Sequence, residues 1–322
     1  MHYSIRHITK FRYSNPVSES VTELRMQPRS DGGQRCVSFE LNVSPRARVA
    51  SHRDHLGNTV HHFDIPRHHG HLTLATRSVV ETTPPPYIPK ESEPGAWEAL
   101  DAMTAADDFC DFLFPSHFAH TTPALTALGA ELAVDRATNP LALVWRLNSD
   151  IYRVFDYVPQ STKVDSPIGH ALEARKGVCQ DFAHIFIALA RGVGIPCRYV
   201  SGYLYHRTED GDRSAVDATH AWVEVCLPEL GWTGFDPTND LLAGDRHIRV
   251  AVGRDYADVP PTRGVFKGQA KSELSVAVKV QPAEAPVSTM ESMEPITVAT
   301  YSPPEMEEEE EYALQRQRQQ QQ

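Results

Sequence analysis

The chain has 322 residues, a formal net charge of -11 and 41% hydrophobic residues, which allows one large domain or two ordinary ones. An acidic balance with no basic stripe excludes a nucleic-acid groove, because such a groove must neutralise phosphates. No apolar run reaches the length of a signal peptide or a membrane span, so the expectation is a soluble, cytoplasmic protein with no membrane partner.

Residues 1–83 read as a β-rich domain. SIRHITKFRY, CVSFELNV, TVHHFDI and LTLATRSVVE alternate apolar and polar side chains, and SDGGQ, SPRA and HLGN separate them as turns. The pattern predicts a small antiparallel sandwich. Seven histidines between residues 52 and 71 (His52, His55, His61, His62, His68, His69 and His71) invite a metal reading. Yet His61 and His62 point to opposite faces of a strand, and no Cys or carboxylate spacing accompanies them, so no ion site is expected. The proline-rich stretch at 84–96 breaks regular structure and reads as a linker.

From Trp97 the period becomes helical. PALTALGAELAV and PLALVWRLNSDIYRVF each carry Pro near the start and apolar residues three and four apart. A loop and the short helical stretch ALEARKG lead to a helix that opens at Cys179 and stops at Gly192 and Gly194. Strand-like segments follow: CRYVSGYLYH, HAWVEVCL, GWTGFDP, HIRVAV and LSVAVKV. Residues 97–280 thus form one core. The loop TEDGDRSAVD lacks the ordered ligand spacing of a calcium loop and reads as a solvated turn. Residues 281–322 contain a Glu run and a Gln-rich end, with too little apolar area to offset ordering entropy. They read as a disordered tail and a candidate segment for a protein partner.

Five cysteines (Cys36, Cys110, Cys179, Cys197 and Cys226) are odd in number, scattered and never spaced CxxC, which argues against a disulfide framework or a thiolate zinc site. Cys179 differs from the rest by its context. At the start of a helix that is apolar on nearly every side, unpaired N–H groups and the macrodipole favour a thiolate and offer donors to an oxyanion. Asp181 suits the helix start electrostatically but opposes a nearby thiolate. The role of Gln180 stays open. In HAWVEVCL, His220, Trp222, Glu224 and Cys226 share one face, and in GWTGFD, Trp232, Gly234 and Asp236 share another. A hairpin centred on Pro228 sets His220 opposite Asp236 and Trp222 opposite Gly234, within reach of a carboxylate–imidazole bond. Trp222 is expected to wall a substrate channel and Trp232 to pack the sheet. Thiol, imidazole and carboxylate in these settings are the parts of nucleophilic acyl transfer. No cofactor motif and no metal site are read from the sequence.

GVCQDFAHIFIALARGVGIPCRYVSGYL and DATHAWVEVCLPELGWTGFDPTND resemble the bacterial transglutaminase-like superfamily core. Residues 1–83, with PVSESVTELRMQPR, and AVGRDYADVPPTRGVFKG resemble a branch that carries a β-rich N-terminal domain. The resemblance implies an α+β fold: a papain-like core, with a helix-borne Cys on an antiparallel sheet, after a small β-sandwich. It matches Cys179 to the nucleophile, His220 to the base and Asp236 to the orienting acid. It implies a thioester intermediate on a protein or peptide amide, ending in hydrolysis or in transfer to an amine. The competing expectation is a non-catalytic peptide-binding or assembly protein that keeps the fold.

Overall fold

The structure is a computed structural model that describes residues 1–284 apart from 164, 208 and 229. The disordered tail and its partner, expected from 281 onward, lie outside the described residues from 285. Alternating burial marks β1 (His2–Leu24), as the period of two demands. β2 (Gln34–Ser44), β3 (Ala50–Arg53), β4 (Thr59–Ile65) and β5 (His69–Thr82) follow. The first half of β1 pairs with β5 and its second half with β4. An irregularity between Arg12 and Val17 separates the two halves. Leu24, Phe63 and Ile65 from one half then meet Leu72 and Leu74 from the other in one buried cluster.

Helices α1 (Ala96–Thr104), α2 (Cys110–Leu113), α3 (Pro123–Glu131) and α4 (Pro140–Val154) form the next layer. Both α3 and α4 start as the sequence predicts, with Pro in the first turn, and the structure adds a capping side chain before each. Thr122 Oγ1 accepts the Leu125 N–H at 3.1 Å and Asn139 Oδ1 accepts that of Ala142 at 2.8 Å. A parallel pair, β6 (Asp156–Tyr157) and β7 (Lys176–Gly177), brackets α5 (Ile168–Ala174) and delivers the chain to α6 (Cys179–Gly192).

The chain then builds β8 (Cys197–Leu204), β9 (His220–Leu227), β10 (Gly231–Asp236), β11 (Leu241–Leu242) and β12 (His247–Gly253). These form an antiparallel sheet in the order β11-β10-β9-β8-β12. One face carries Ala221, Val223, Val225 and Leu227 against Phe182, Ile185, Phe186 and Leu189 of α6. On the other face, Tyr203, Ile248 and Val250 meet Tyr3, Ile5 and Val80 of the N-terminal sheet. Both faces of β9 are covered, which explains why every one of its residues is buried.

The end of the core departs from expectation. β13 (Thr262–Lys267) and β14 (Ser272–Pro282) leave the core and pair antiparallel with β1, β14 along eleven residues from Tyr3↔Pro282 to Tyr13↔Ser272. LSVAVKV therefore belongs to the N-terminal sheet, which has seven strands. Without them the second edge of a 23-residue strand would be left with unpaired N–H and C=O groups. No helix among the described residues is long and apolar enough to cross a membrane.

Candidate active site

β9 and β10 form the expected hairpin, but its register is displaced by two residues. Gly234 lies opposite Glu224, and Phe235 opposite Val223. Centring on Pro228 would leave a one-residue turn, shorter than the two residues a tight hairpin needs. Instead Leu227 pairs with Gly231, whose φ of 61° suits glycine. A shift of two preserves parity, so His220 and Asp236 still share a face, as diagonal rather than directly opposed neighbours. Their side chains meet, with His220 Nε2 at 2.7 Å from Asp236 Oδ2.

Asp236 is completely buried, and its two oxygens gather five donors. Oδ1 accepts the N–H groups of Thr238 at 3.0 Å and Asn239 at 3.3 Å. Oδ2 accepts Asn239 Nδ2 at 2.8 Å, His220 at 2.7 Å and His247 Nε2 at 3.1 Å. Burial favours the neutral acid, but the histidines and these donors outweigh it and hold the carboxyl well below the usual range. His220 shows the mirror image. Burial alone would lower it; the charge and hydrogen bond of Asp236, then those of Cys179, raise it to about 10.

With Nε2 committed to Asp236, Nδ1 is the nitrogen left for the thiol. It is buried and lacks a partner at full hydrogen-bonding geometry, while Cys179 lies near enough for its charge and weak hydrogen bonding to raise the imidazole. Cys179 is half-buried at the first position of α6. The helix start is tied down by Asp181, whose Oδ2 accepts the Val178 N–H at 2.8 Å and the Thr162 hydroxyl at 2.5 Å. Asp181 thus caps the helix, and burial raises its carboxyl despite those two donors. Tyr157 and Tyr199 border the sulfur, and both phenols are pushed up, first by burial and then by Cys179.

His220, Asp236 and His247 are the one group among the described residues whose ligand atoms lie close enough to hold an ion. The hydrogen bonds oppose that use. Gly244 donates its N–H to His247 Nδ1 at 3.1 Å, so Nε2 carries the proton and has no lone pair for a metal. The N-terminal histidines form no such group among the described residues.

Comparison with known proteins fits this arrangement. Residues 3–81 match the bacterial transglutaminase-like N-terminal region, and residues 129–237 match the transglutaminase-like superfamily. An uncharacterized protein of Mycobacterium bovis is 38% identical over 297 residues, covering 88% of this chain and 93% of its own. The chain is a member of the transglutaminase-like superfamily. A second mycobacterial relative, from Mycobacterium leprae, is 33% identical over 85% of this chain and 96% of its own. A protein-glutamine gamma-glutamyltransferase of Pseudomonas aeruginosa is 33% identical over 127 residues, 37% of this chain and 19% of its own. A solved structure from Cytophaga hutchinsonii, described as a candidate cysteine protease, has a TM-score of 0.70 at 21% identity, covering 88% of this chain and 92% of its own, and shares the fold.

In this transglutaminase-like chain, the three residues singled out from the sequence converge at one end of the core sheet. Trp222, expected to wall a substrate channel, lies beside a cavity that Glu224, Trp232, Gly234 and His247 also line. Trp222 is 0% exposed, packs with Val200 and Val252, and stacks on His220 with ring centroids 6.0 Å apart. Trp232 packs edge-on against Phe112 and beneath Arg198, as a sheet-packing residue should. Sequence reading missed His247 and Asn239. Asn239 sits three residues past Asp236, where an Asx-type turn is legible, but nothing local to His247 points across the sheet.

Proposed function

We propose that the protein is a thiol acyltransferase or hydrolase acting on protein or peptide amides, with Cys179 as nucleophile, His220 as acid and base, and Asp236 as orienting acid. One observation carries this reading: a buried imidazole held through Nε2 by a buried carboxylate, with its other nitrogen left for a thiol at a helix start.

Proton accounting follows from the ring's orientation. A raised His220 keeps its proton and stabilises the Cys179 thiolate as an ion pair. Sulfur attacks the amide carbonyl, and the helix-start N–H groups suit the developing oxyanion. His220 gives its Nδ1 proton to the departing amine, leaving a thioester on Cys179. Water or a primary amine then attacks while Nδ1 takes the proton back. Water yields an amidase or protease, and an amine yields a transglutaminase.

The test is mass spectrometry of adducts on Cys179 after incubation with peptide amides and an isotope-labelled primary amine. A mass gain on Cys179 that is absent from Cys179→Ala supports the reading, and label in the product identifies transfer. No adduct with any peptide amide, from a chain that remains folded, rejects it.

A further inference from the structure

His247 opens β12, and the chemistry proposed above makes no use of it. Its side chain is buried, edge-on to Trp222 with ring centroids 5.2 Å apart and planes at 71°. Both ring nitrogens are committed: Nδ1 accepts from Gly244, and Nε2–H donates to Asp236 Oδ2. The same oxygen accepts His220 Nε2–H. One carboxylate oxygen thus serves two imidazoles. A carboxylate given wholly to His220 would hold the imidazolium hardest, and a neutral N–H on the same oxygen weakens that hold.

The position of this ring is imposed from outside the core. β12 is the edge strand of its sheet, and side-chain amides of the N-terminal domain fill its open edge. Gln34 accepts the Arg249 N–H and donates to the Arg249 carbonyl, both at 2.8 Å. Asn58 does the same for Val252, again at 2.8 Å in each direction. Thr82 Oγ1 donates to the Asp245 carbonyl at 2.8 Å, in the turn that leads into His247. Two amides therefore act as a missing strand, and they fix the strand that carries the ring.

We propose that His247 is a positioning residue that divides the charge of Asp236 with His220, so that the imidazole facing Cys179 can give up its proton during turnover. This rests on the acyl-transfer reading. The titratable and charged groups that bear on His247 are His220 from β9, Asp236 from β10 and Arg246 beside it. His206, beyond β8, is lowered first by burial and in part by the charge of His220. Burial lowers His247 and outweighs the hydrogen bond and charge of Asp236, which keeps the ring neutral.

The experiment is nitrogen-15 NMR of the histidines in the full chain, from about pH 5 to about pH 12, a window that spans ordinary imidazoles and one raised beyond that of wild-type His220. In the wild type, His247 is expected to stay neutral with its proton on Nε2. In His247→Phe, the titration of His220 is expected to move up by about one unit, a tenfold gain in proton affinity. In His247→Gln, which keeps an N–H donor but does not titrate, it should stay within a few tenths of a unit. An unmoved His220 in the Phe variant, or a wild-type His247 protonated on Nδ1, overturns the proposal. If the Phe variant does not fold, the wild-type tautomer and the Gln variant decide. None of these readouts needs turnover, so absence of a Cys179 adduct would sink the acyl-transfer reading while leaving the charge division to be judged separately.

Discussion

Asp236 is the residue on which the site turns, because its charge reverses what burial does to His220. Replacing it by Asn keeps the shape and removes the charge. His220 should then follow its burial downward, lose its proton near neutral pH and leave the thiol without a counter-ion. Acylation of Cys179 in Asp236→Asn is expected to fall by about 10⁴-fold, the scale seen when an orienting acid becomes an amide. The pair also predicts a stability profile. A raised His220 contributes stability below its ordinary value of 6.5 that fades as pH climbs toward about 10. A lowered Asp236 contributes stability above its ordinary value of 3.8 that is lost as pH falls further. The stability difference between wild type and Asp236→Asn should therefore be largest between those two values and shrink above pH 6.5. Urea unfolding across that range checks this, and a difference that grows toward pH 10 would contradict it.

At the scale of elements, the site depends on how closely the strands pass beneath Trp222. Gly202 lies opposite His220 on β9 and opposite Arg249 on β12. A Cβ there would stand 2.1 Å from the Ile248 carbonyl oxygen and 2.7 Å from the Trp222 ring. The nearer obstacle is backbone of the same sheet and cannot turn aside. Gly202→Ala is expected to cost about 3 kcal/mol, the upper part of the overpacking range, measured by chemical denaturation. A change within about 0.5 kcal/mol, the scale of an ordinary surface substitution, would show that β8 and β12 have room to separate. The hairpin carries a related lesson. Its parity was legible in HAWVEVCL and GWTGFD because side chains alternate along any strand. Its register was not, because turn length is set by the few residues that close the loop.

Across the whole molecule, the two matched regions are joined through β1. The far end of the chain returns as β13 and β14 to complete the sheet that the first residues begin. That sheet packs against the core sheet and supplies the amides that border β12. Ending the chain at residue 284 is expected to leave the melting temperature and Cys179 reactivity unchanged. Ending it at residue 270 removes β14, takes Val278 from the cluster holding Tyr3 and Ile5, and bares an edge of β1. That chain should melt several degrees lower and aggregate on heating. Equal melting curves for the two truncations would refute the role given to β14.

What the sequence determined by itself was local. Apolar period, with Pro at the start of α3 and α4 and Gly at the end of α6, marked those helices, alternation marked the strands, and the settings of Cys179, His220 and Asp236 set those three residues apart. Each signal lies within a few residues of its cause, where backbone geometry fixes which side chains face together. Tertiary structure decided what depends on distant segments: the return of β14 to β1, the burial of Trp222 and the arrival of His247 at Asp236. No local period records a partner 11 residues away across a sheet, as His247 is from Asp236, or 215 residues away, as Gln34 is from Arg249. Such pairings are chosen only when whole faces close and every buried donor must find an acceptor.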